Sequence, residues 1–382
     1  MSIRVLVVDD SGIARRVIQG ELRKDPDIEV VGTAGDPLEA SEKIEALNPD
    51  VMTLDLELPK MDGLTFLRSL MRHHPMPVVI VSAYTQRGSR LAMEALESGA
   101  VDIVPKPGTG YNLAEMAAEL IAKVRAASHA RVGQGDGPEP GAPATPATAA
   151  TAPRPAPVRP AAPRSAAGGV RAVTLAGPAR EPPPDALPPL NRPVAPERLI
   201  AIGSSTGGTQ ALQYILTRLP ADMPPILIVQ HMPEGFTNAF ANRLNQLCGL
   251  EVKEAEHNDT VQPGRVLVAP GARQMVLRRT GSRLWVEIND GPRVCLQKPS
   301  VEVLFESVAM VAGKSAVGAI LTGMGADGAG GMLLMKQAGA STIAQDEASC
   351  VVFGMPKEAI KLGGVDHVAH LRDIPQLLHR LA

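Results

Sequence analysis

The sequence predicts an α/β protein. It has two doubly wound, mainly parallel-sheet domains, the second with an added β-hairpin, joined by a disordered Ala/Pro-rich linker. Three observations predict this. Short β-branched runs alternate with helix-period patterns at both ends of the chain, and that alternation builds parallel sheets covered on both faces. Between the two regions 17 of the 35 prolines fall from Ala130 to Pro196, where periodicity and aromatics vanish. Finally, 382 residues exceed what one ordinary core serves. The domains are placed at 1–127 and 197–382, with the linker over 128–196.

In order, strands are expected over Ile3 to Val8, Glu29 to Ala34, Val51 to Leu54, Val78 to Val81 and Asp102 to Val104. Helices are expected over Gly12 to Arg23, Pro37 to Ala46, Leu64 to Met71, Gln86 to Ser98 and Leu113 to Ala127. These make five βα units. In the linker, proline removes amide donors and favours extended backbone, so no core can form. Beyond it, strands are expected near Ile200, Ile228, Ile320 and Ile343. Gln274 to Arg278 and Arg283 to Ile288 flank Thr280-Gly281-Ser282, a hairpin signal.

Bulk properties exclude several classes. A formal net charge of -2 gives no global attraction to nucleic acid or an anionic membrane. No apolar run approaches the ~20 residues that span a bilayer, and the N-terminus lacks the pattern of a signal peptide. Cys248, Cys295 and Cys350 are odd in number and scattered, against a disulfide framework or zinc site. A cytoplasmic protein without direct membrane insertion is expected.

Chemistry collects at strand ends. Asp9 and Asp10 follow the first strand, Asp55 the third, Ser82 ends the fourth and Lys106 follows the fifth. Ligands of open parallel sheets bind beyond these carboxyl ends. Clustered carboxylates repel unless a cation joins them, and hard oxygen donors suit Mg²⁺. Carboxylate, metal, hydroxyl and ammonium together make a phosphoryl-acceptor site. Any one of these residues alone reads better as a solvated strand end.

In the second domain Ser205 lies in Gly203-Ser204-Ser205-Thr206-Gly207-Gly208, between an apolar run and a helix pattern. His231 follows the strand around Ile228, and Asp327 follows Leu321 through a glycine-rich loop. Three strand ends thus carry the side-chain types of a serine triad. Ser205 is the expected nucleophile, His231 the base and Asp327 its orienting acid. The Thr206 amide and helix-start amides are candidates for the oxyanion, with Met324 as an active-site neighbour. The chain order Ser, His, Asp differs from that of α/β-hydrolases. Taken singly, Ser204 and Ser205 read as helix caps, His231 as a loop histidine and Asp327 as a cap of the next helix. A dinucleotide turn is a poor rival, because G-S-S-T-G-G lacks the G-x-G-x-x-G spacing.

The motifs Val7 to Ser11, Leu54 to Gly63, Val81-Ser82-Ala83 and Pro105-Lys106-Pro107 resemble the receiver domains of response regulators. The resemblance implies phosphorylation of Asp55 by a histidine kinase, with Ser82 and Lys106 as switch residues. It also implies Mg²⁺ held by Asp10, Asp55 and the Glu57 backbone carbonyl with help from Asp9, and a cis Lys106–Pro107 bond. Receivers usually carry an aromatic three residues before the lysine; this chain has Ile103.

The motifs Ile202 to Gly208, Gln230 to Thr237, Leu321 to Gly328 and Ala348 to Pro356 resemble the chemotaxis protein-glutamate methylesterases. The resemblance implies hydrolysis of γ-glutamyl methyl esters on chemoreceptors, and deamidation of receptor glutamines, by Ser205, His231 and Asp327 without a cofactor. It implies adaptation in a two-component chemotaxis system, with the unphosphorylated receiver covering the active site. The alternative is a receiver joined to a non-catalytic module that binds receptors or kinase.

Overall fold

The computed structural model describes residues 2–59, 61–83, 85–106, 113–130, 132, 183–195 and 197–382. The first domain runs β1 (Ile3–Val8), α1 (Gly12–Leu22), β2 (Ile28–Ala34), α2 (Pro37–Leu47), β3 (Val51–Leu54), α3 (Gly63–His73), β4 (Val78–Ser82), α4 (Gln86–Glu97), β5 (Asp102–Pro105) and α5 (Leu113–Ser128). Its strands pair parallel in the order β2-β1-β3-β4-β5. Alternate residues feed opposite faces: Val5 and Val7 pack with Ile18 and Leu120, while Leu6 and Val8 pack with Ile44 and Leu67. Ser11, Asp36, Asp62 and Thr85 start α1 to α4 by accepting first-turn amides. The winding reverses between β1 and β3, where such sheets bind ligands.

The second domain runs β6 (Leu199–Ser204), α6 (Gly208–Leu216), β7 (Ile226–Gln230), α7 (Phe236–Leu247), β8 (Glu251–Glu254), β9 (Arg265–Val268), β10 (Gln274–Thr280), β11 (Arg283–Asn289), α8 (Val301–Ala312), β12 (Ala316–Ile320), α9 (Ala329–Gln337), β13 (Ser341–Gln345), α10 (Met355–Lys361), β14 (His367–Ala369) and α11 (Ile374–Leu381). Seven strands form one parallel sheet in the order β14-β13-β12-β6-β7-β9-β8. The four expected strands are its centre. β10 and β11 form the expected hairpin, with Thr280 opposite Arg283 across Gly281-Ser282. The winding reverses between β6 and β12, so the β6, β7 and β12 ends lie side by side.

Of the expected linker, residues 133–182 lie outside the described residues, as does Pro107. Residues 183–195 pack on the second domain. The Leu187 amide donates to the Arg218 carbonyl and the Leu190 amide to Asp222. Both leucines pack on the core, and Arg192 donates to the Ala382 carbonyl at 2.6 Å. The two α/β domains form one compact unit.

Candidate active site

The turn after β6 is built so that one serine is held and the next is left available. Ser204 is fully buried, and its hydroxyl donates to Gln230 Oε1 at 2.7 Å. The other side of the same amide donates to the carbonyls of Ser205 and His231, so Gln230 ties the β6 and β7 ends together. Ser205 is half-buried, and its amide donates to the Thr322 carbonyl after β12 at 3.0 Å. Neither serine caps α6. Its first turn is entered through Gly207 at φ 79°, without a side-chain cap. A Cβ on Gly207 would meet Val351 at 2.5 Å, and one on Gly323 would meet the Ser205 Cβ at 2.6 Å. Glycine at both positions lets the two turns close on the serine.

His231 and Asp327 are joined. The imidazole Nε2 lies 2.7 Å from Asp327 Oδ2, and both side chains are buried. The carboxylate can only accept, so Nε2 carries the proton and Nδ1 keeps a lone pair. Nδ1 has no hydrogen-bond partner among the described residues. The expected triad thus has its His–Asp bond, but the serine hydroxyl is not bonded to the imidazole. Such bonds often tighten only when substrate is present.

Asp327 does not cap the helix that follows it. It caps α8, which lies 26 residues earlier. Oδ2 accepts the Val301 amide at 2.7 Å, and Oδ1 accepts the Glu302 amide at 3.1 Å and the Ser300 hydroxyl at 2.7 Å. Burial pushes the carboxyl's pKa up. The donors from His231, Ser300 and the start of α8 more than offset it, so the pKa stays below the usual value. The group is a fixed anion at the positive end of a helix.

Thr206 is buried, and its amide meets no acceptor among the described residues. Met324 is 39% exposed on the loop after β12, next to Gly323.

In the first domain one carboxylate oxygen each from Asp9, Asp10 and Asp55 lie within 4.8 Å of one another. Lys106 Nζ sits 2.7 Å from both Asp9 Oδ2 and Asp55 Oδ2. Burial raises the Asp9 pKa against the pull of Lys106. Burial lowers that of Lys106, but the two carboxylates more than offset it and leave it raised. The hard, converging oxygens fit Mg²⁺. The Glu57 amide donates to Asp55 Oδ1 at 3.2 Å. Ser82 Oγ, at the end of β4, is buried without a hydrogen-bond partner among the described residues.

A family model described as CheB methylesterase matches residues 200–378, and one described as response regulator receiver domain matches residues 5–118. Protein-glutamate methylesterase/protein-glutamine glutaminase 2 of Syntrophus aciditrophicus (strain SB) is 49% identical over 379 residues, which cover 99% of each chain. This chain belongs to that methylesterase family. Enzyme 4 of the same name from Anaeromyxobacter dehalogenans (strain 2CP-C) is 49% identical over 100% of this chain and 95% of its own. The crystal structure of the Thermotoga maritima CheB methylesterase catalytic domain is 39% identical, with a TM-score of 0.48, and covers 48% of this chain and 98% of its own.

The receiver of this methylesterase family member touches the catalytic domain beside the serine. Thr206 Oγ1 donates to Asp102 Oδ2 at 2.6 Å. Asp102 also pairs with the half-buried Lys123 at 2.7 Å, and Lys123 reaches the Ile103 carbonyl. Gln210 donates to the Leu96 and Ala100 carbonyls, both at 3.0 Å. Arg243 makes a forked pair with Glu97 at 2.6 and 2.9 Å. Ile103 itself is in the core, so the outward polar link of β5 is its neighbour Asp102.

Sequence reasoning missed Gln230, Ser300, Asp102 and Gln210. Ser300 carried a signal, since serine before Val301-Glu302 marks a helix start. Its hydroxyl goes to Asp327 instead of to its own helix.

Proposed function

We propose that this chain is a phosphorylation-regulated enzyme. It hydrolyses γ-glutamyl methyl esters on methyl-accepting chemoreceptors to glutamate and methanol, and deamidates receptor glutamines. The observation that carries this reading is the buried His231–Asp327 pair at 2.7 Å, on strand ends flanking that of Ser205.

Ser205 Oγ attacks the glutamyl acyl carbon and gives its proton to His231 Nδ1, the nitrogen that Asp327 leaves free. The Thr206 amide and the Met324 loop receive the oxyanion; one good donor is typically worth about a hundredfold or more in rate. The tetrahedral species collapses, and His231 gives its proton to the departing methoxide, releasing methanol, or to the departing amide nitrogen of a glutamine, releasing ammonia. Water then attacks the acyl-serine by the same proton route and releases glutamate. No step calls on a cofactor. Asp327 keeps the ring in one tautomer and stabilises the imidazolium.

Asp55 accepts the phosphoryl group from a histidine kinase. Asp9, Asp10, Asp55 and the Glu57 carbonyl would hold Mg²⁺, which when bound neutralises the phosphoryl oxygens. Lys106 and Ser82 then turn from their present state to those oxygens. We place the protein in the cytoplasm; no helix among the described residues is long and apolar enough to cross a membrane. A non-catalytic binding module would have no use for a buried anion aimed at an imidazole.

The test is methanol release from a methylated receptor, with and without an acyl-phosphate donor and Mg²⁺. Turnover that the donor raises, and that Asp55→Asn makes unresponsive, is expected. No methanol under either condition would sink the esterase reading.

A further inference from the structure

Between β11 and α8 the chain makes a tight hairpin of its own. Val294 and Gln297 exchange both backbone hydrogen bonds, at 3.1 and 2.8 Å. Cys295 and Leu296 form the two-residue turn, and both have positive φ, 50° and 66°. Such turns favour Asn, Asp and Gly, because a larger L side chain is strained there. Leu296 is nevertheless kept, and it is 86% exposed, more than any other large apolar side chain among the described residues. Strain of this kind collects where a side chain is used.

The hairpin is anchored against the catalytic carboxylate. Gln274 holds the Pro292 carbonyl at 2.8 Å, and Lys298 pairs with Asp290. Ser300, four residues beyond Leu296, donates to Asp327. The Cys295 thiol feels Asp327, Glu302 and Glu306, and burial and these acids raise its pKa. The receiver engages Thr206, Gln210 and Arg243 instead, so Leu296 stays open with both domains packed.

We propose that Leu296 is a substrate-reading contact, which docks on the apolar surface of the receptor segment that carries the glutamyl ester. The proposal rests on the esterase reading above. A protein substrate extends past the reacting side chain, and an apolar tip at the rim of the site meets that extension. A small ester does not reach it.

The test uses the full-length chain with acyl phosphate and Mg²⁺, and the variant Leu296→Asn. Asparagine suits the left-handed backbone, so the fold should hold and the melting temperature should not fall. Two substrates are compared: a methylated receptor fragment and a blocked glutamic acid γ-methyl ester. KM for the receptor fragment should rise roughly tenfold, the scale of losing one buried leucine, with kcat nearly unchanged. Kinetics on the small ester should not move, and Leu296→Met should restore the receptor KM. An unchanged receptor KM, or equal losses on both substrates, overturns the proposal. So does a lower oligomeric mass in Leu296→Asn than in the wild type, which would assign the tip to self-association. Failure of the esterase reading is distinct: the wild type would then release no methanol from either substrate.

Discussion

Thr206 Oγ1 donates a 2.6 Å hydrogen bond to Asp102 Oδ2, across the junction of the two domains. One partner directly follows the expected nucleophile. The other opens the receiver strand that leads to Lys106. Asp102 is held in place by the half-buried Lys123, whose pKa desolvation lowers and the neighbouring acids more than restore. Strand β5 thus carries a junction contact at its start and Lys106 just beyond its end.

If the receiver restrains the esterase, loosening the junction away from the active site should release it. Gln210→Ala with Arg243→Ala removes four hydrogen bonds to Leu96, Ala100 and Glu97. Basal methanol release should rise roughly five- to 150-fold, the usual span of coupling between sites, and the added effect of phosphodonor should shrink. A double variant no faster than the wild type without donor would show that the receiver acts by positive activation.

The Asp327 anion has a pH signature. Its folded-state pKa is depressed, so its contribution to stability is fully present above the unfolded value of about 3.9 and is lost as pH falls through the folded one. Asp327→Asn sets an amide N–H₂ against donors that need an acceptor. It should destabilise the domain by about 2 kcal/mol near pH 7 and cut kcat by about a thousandfold or more through the wrong tautomer. Denaturant midpoints should differ at pH 7 and converge as pH falls below the usual carboxylate range. A gap of equal size at both ends would remove the charge from the explanation.

Lys106 pairs with Asp9 and Asp55, so it would compete with the proposed Mg²⁺ for their oxygens. Lys106→Ala should therefore bind Mg²⁺ several-fold more tightly, as read by calorimetric titration, while activation by phosphodonor is lost. Weaker Mg²⁺ binding in the variant would mean that the ammonium organises the carboxylates instead of occupying their site.

Much of this could be read along the chain, because the proposed catalytic and phosphoacceptor groups sit at the ends of apolar strands such as Ile3–Val8 and Ile226–Gln230. A strand end is a local signal, and parallel sheets align such ends on one edge. The outer strands were harder. β8 reads Glu-Val-Lys-Glu, with only Val252 buried, and β14 is three residues long; charge and brevity are how edges avoid further pairing. The supports of the triad were also hidden. Ser300 and Asp327 lie 27 residues apart, and Thr206 and Asp102 lie 104 apart, so no spacing rule connects them. Helix capping alone would have paired Ser300 with its own helix and Asp327 with α9.

The assignment of the nucleophile is the centre of the account, and the two serines make it testable in adjacent positions. Ser204 is spent on Gln230, whereas Ser205 stands on the rim. The decisive measurement is kcat/KM for methanol release by Ser204→Ala and Ser205→Ala side by side. Ser205 as nucleophile predicts a loss of at least about a thousandfold in Ser205→Ala, with only residual activity from binding and the oxyanion site, and less than about tenfold in Ser204→Ala. Comparable losses in the two, or the larger loss at Ser204, would contradict it.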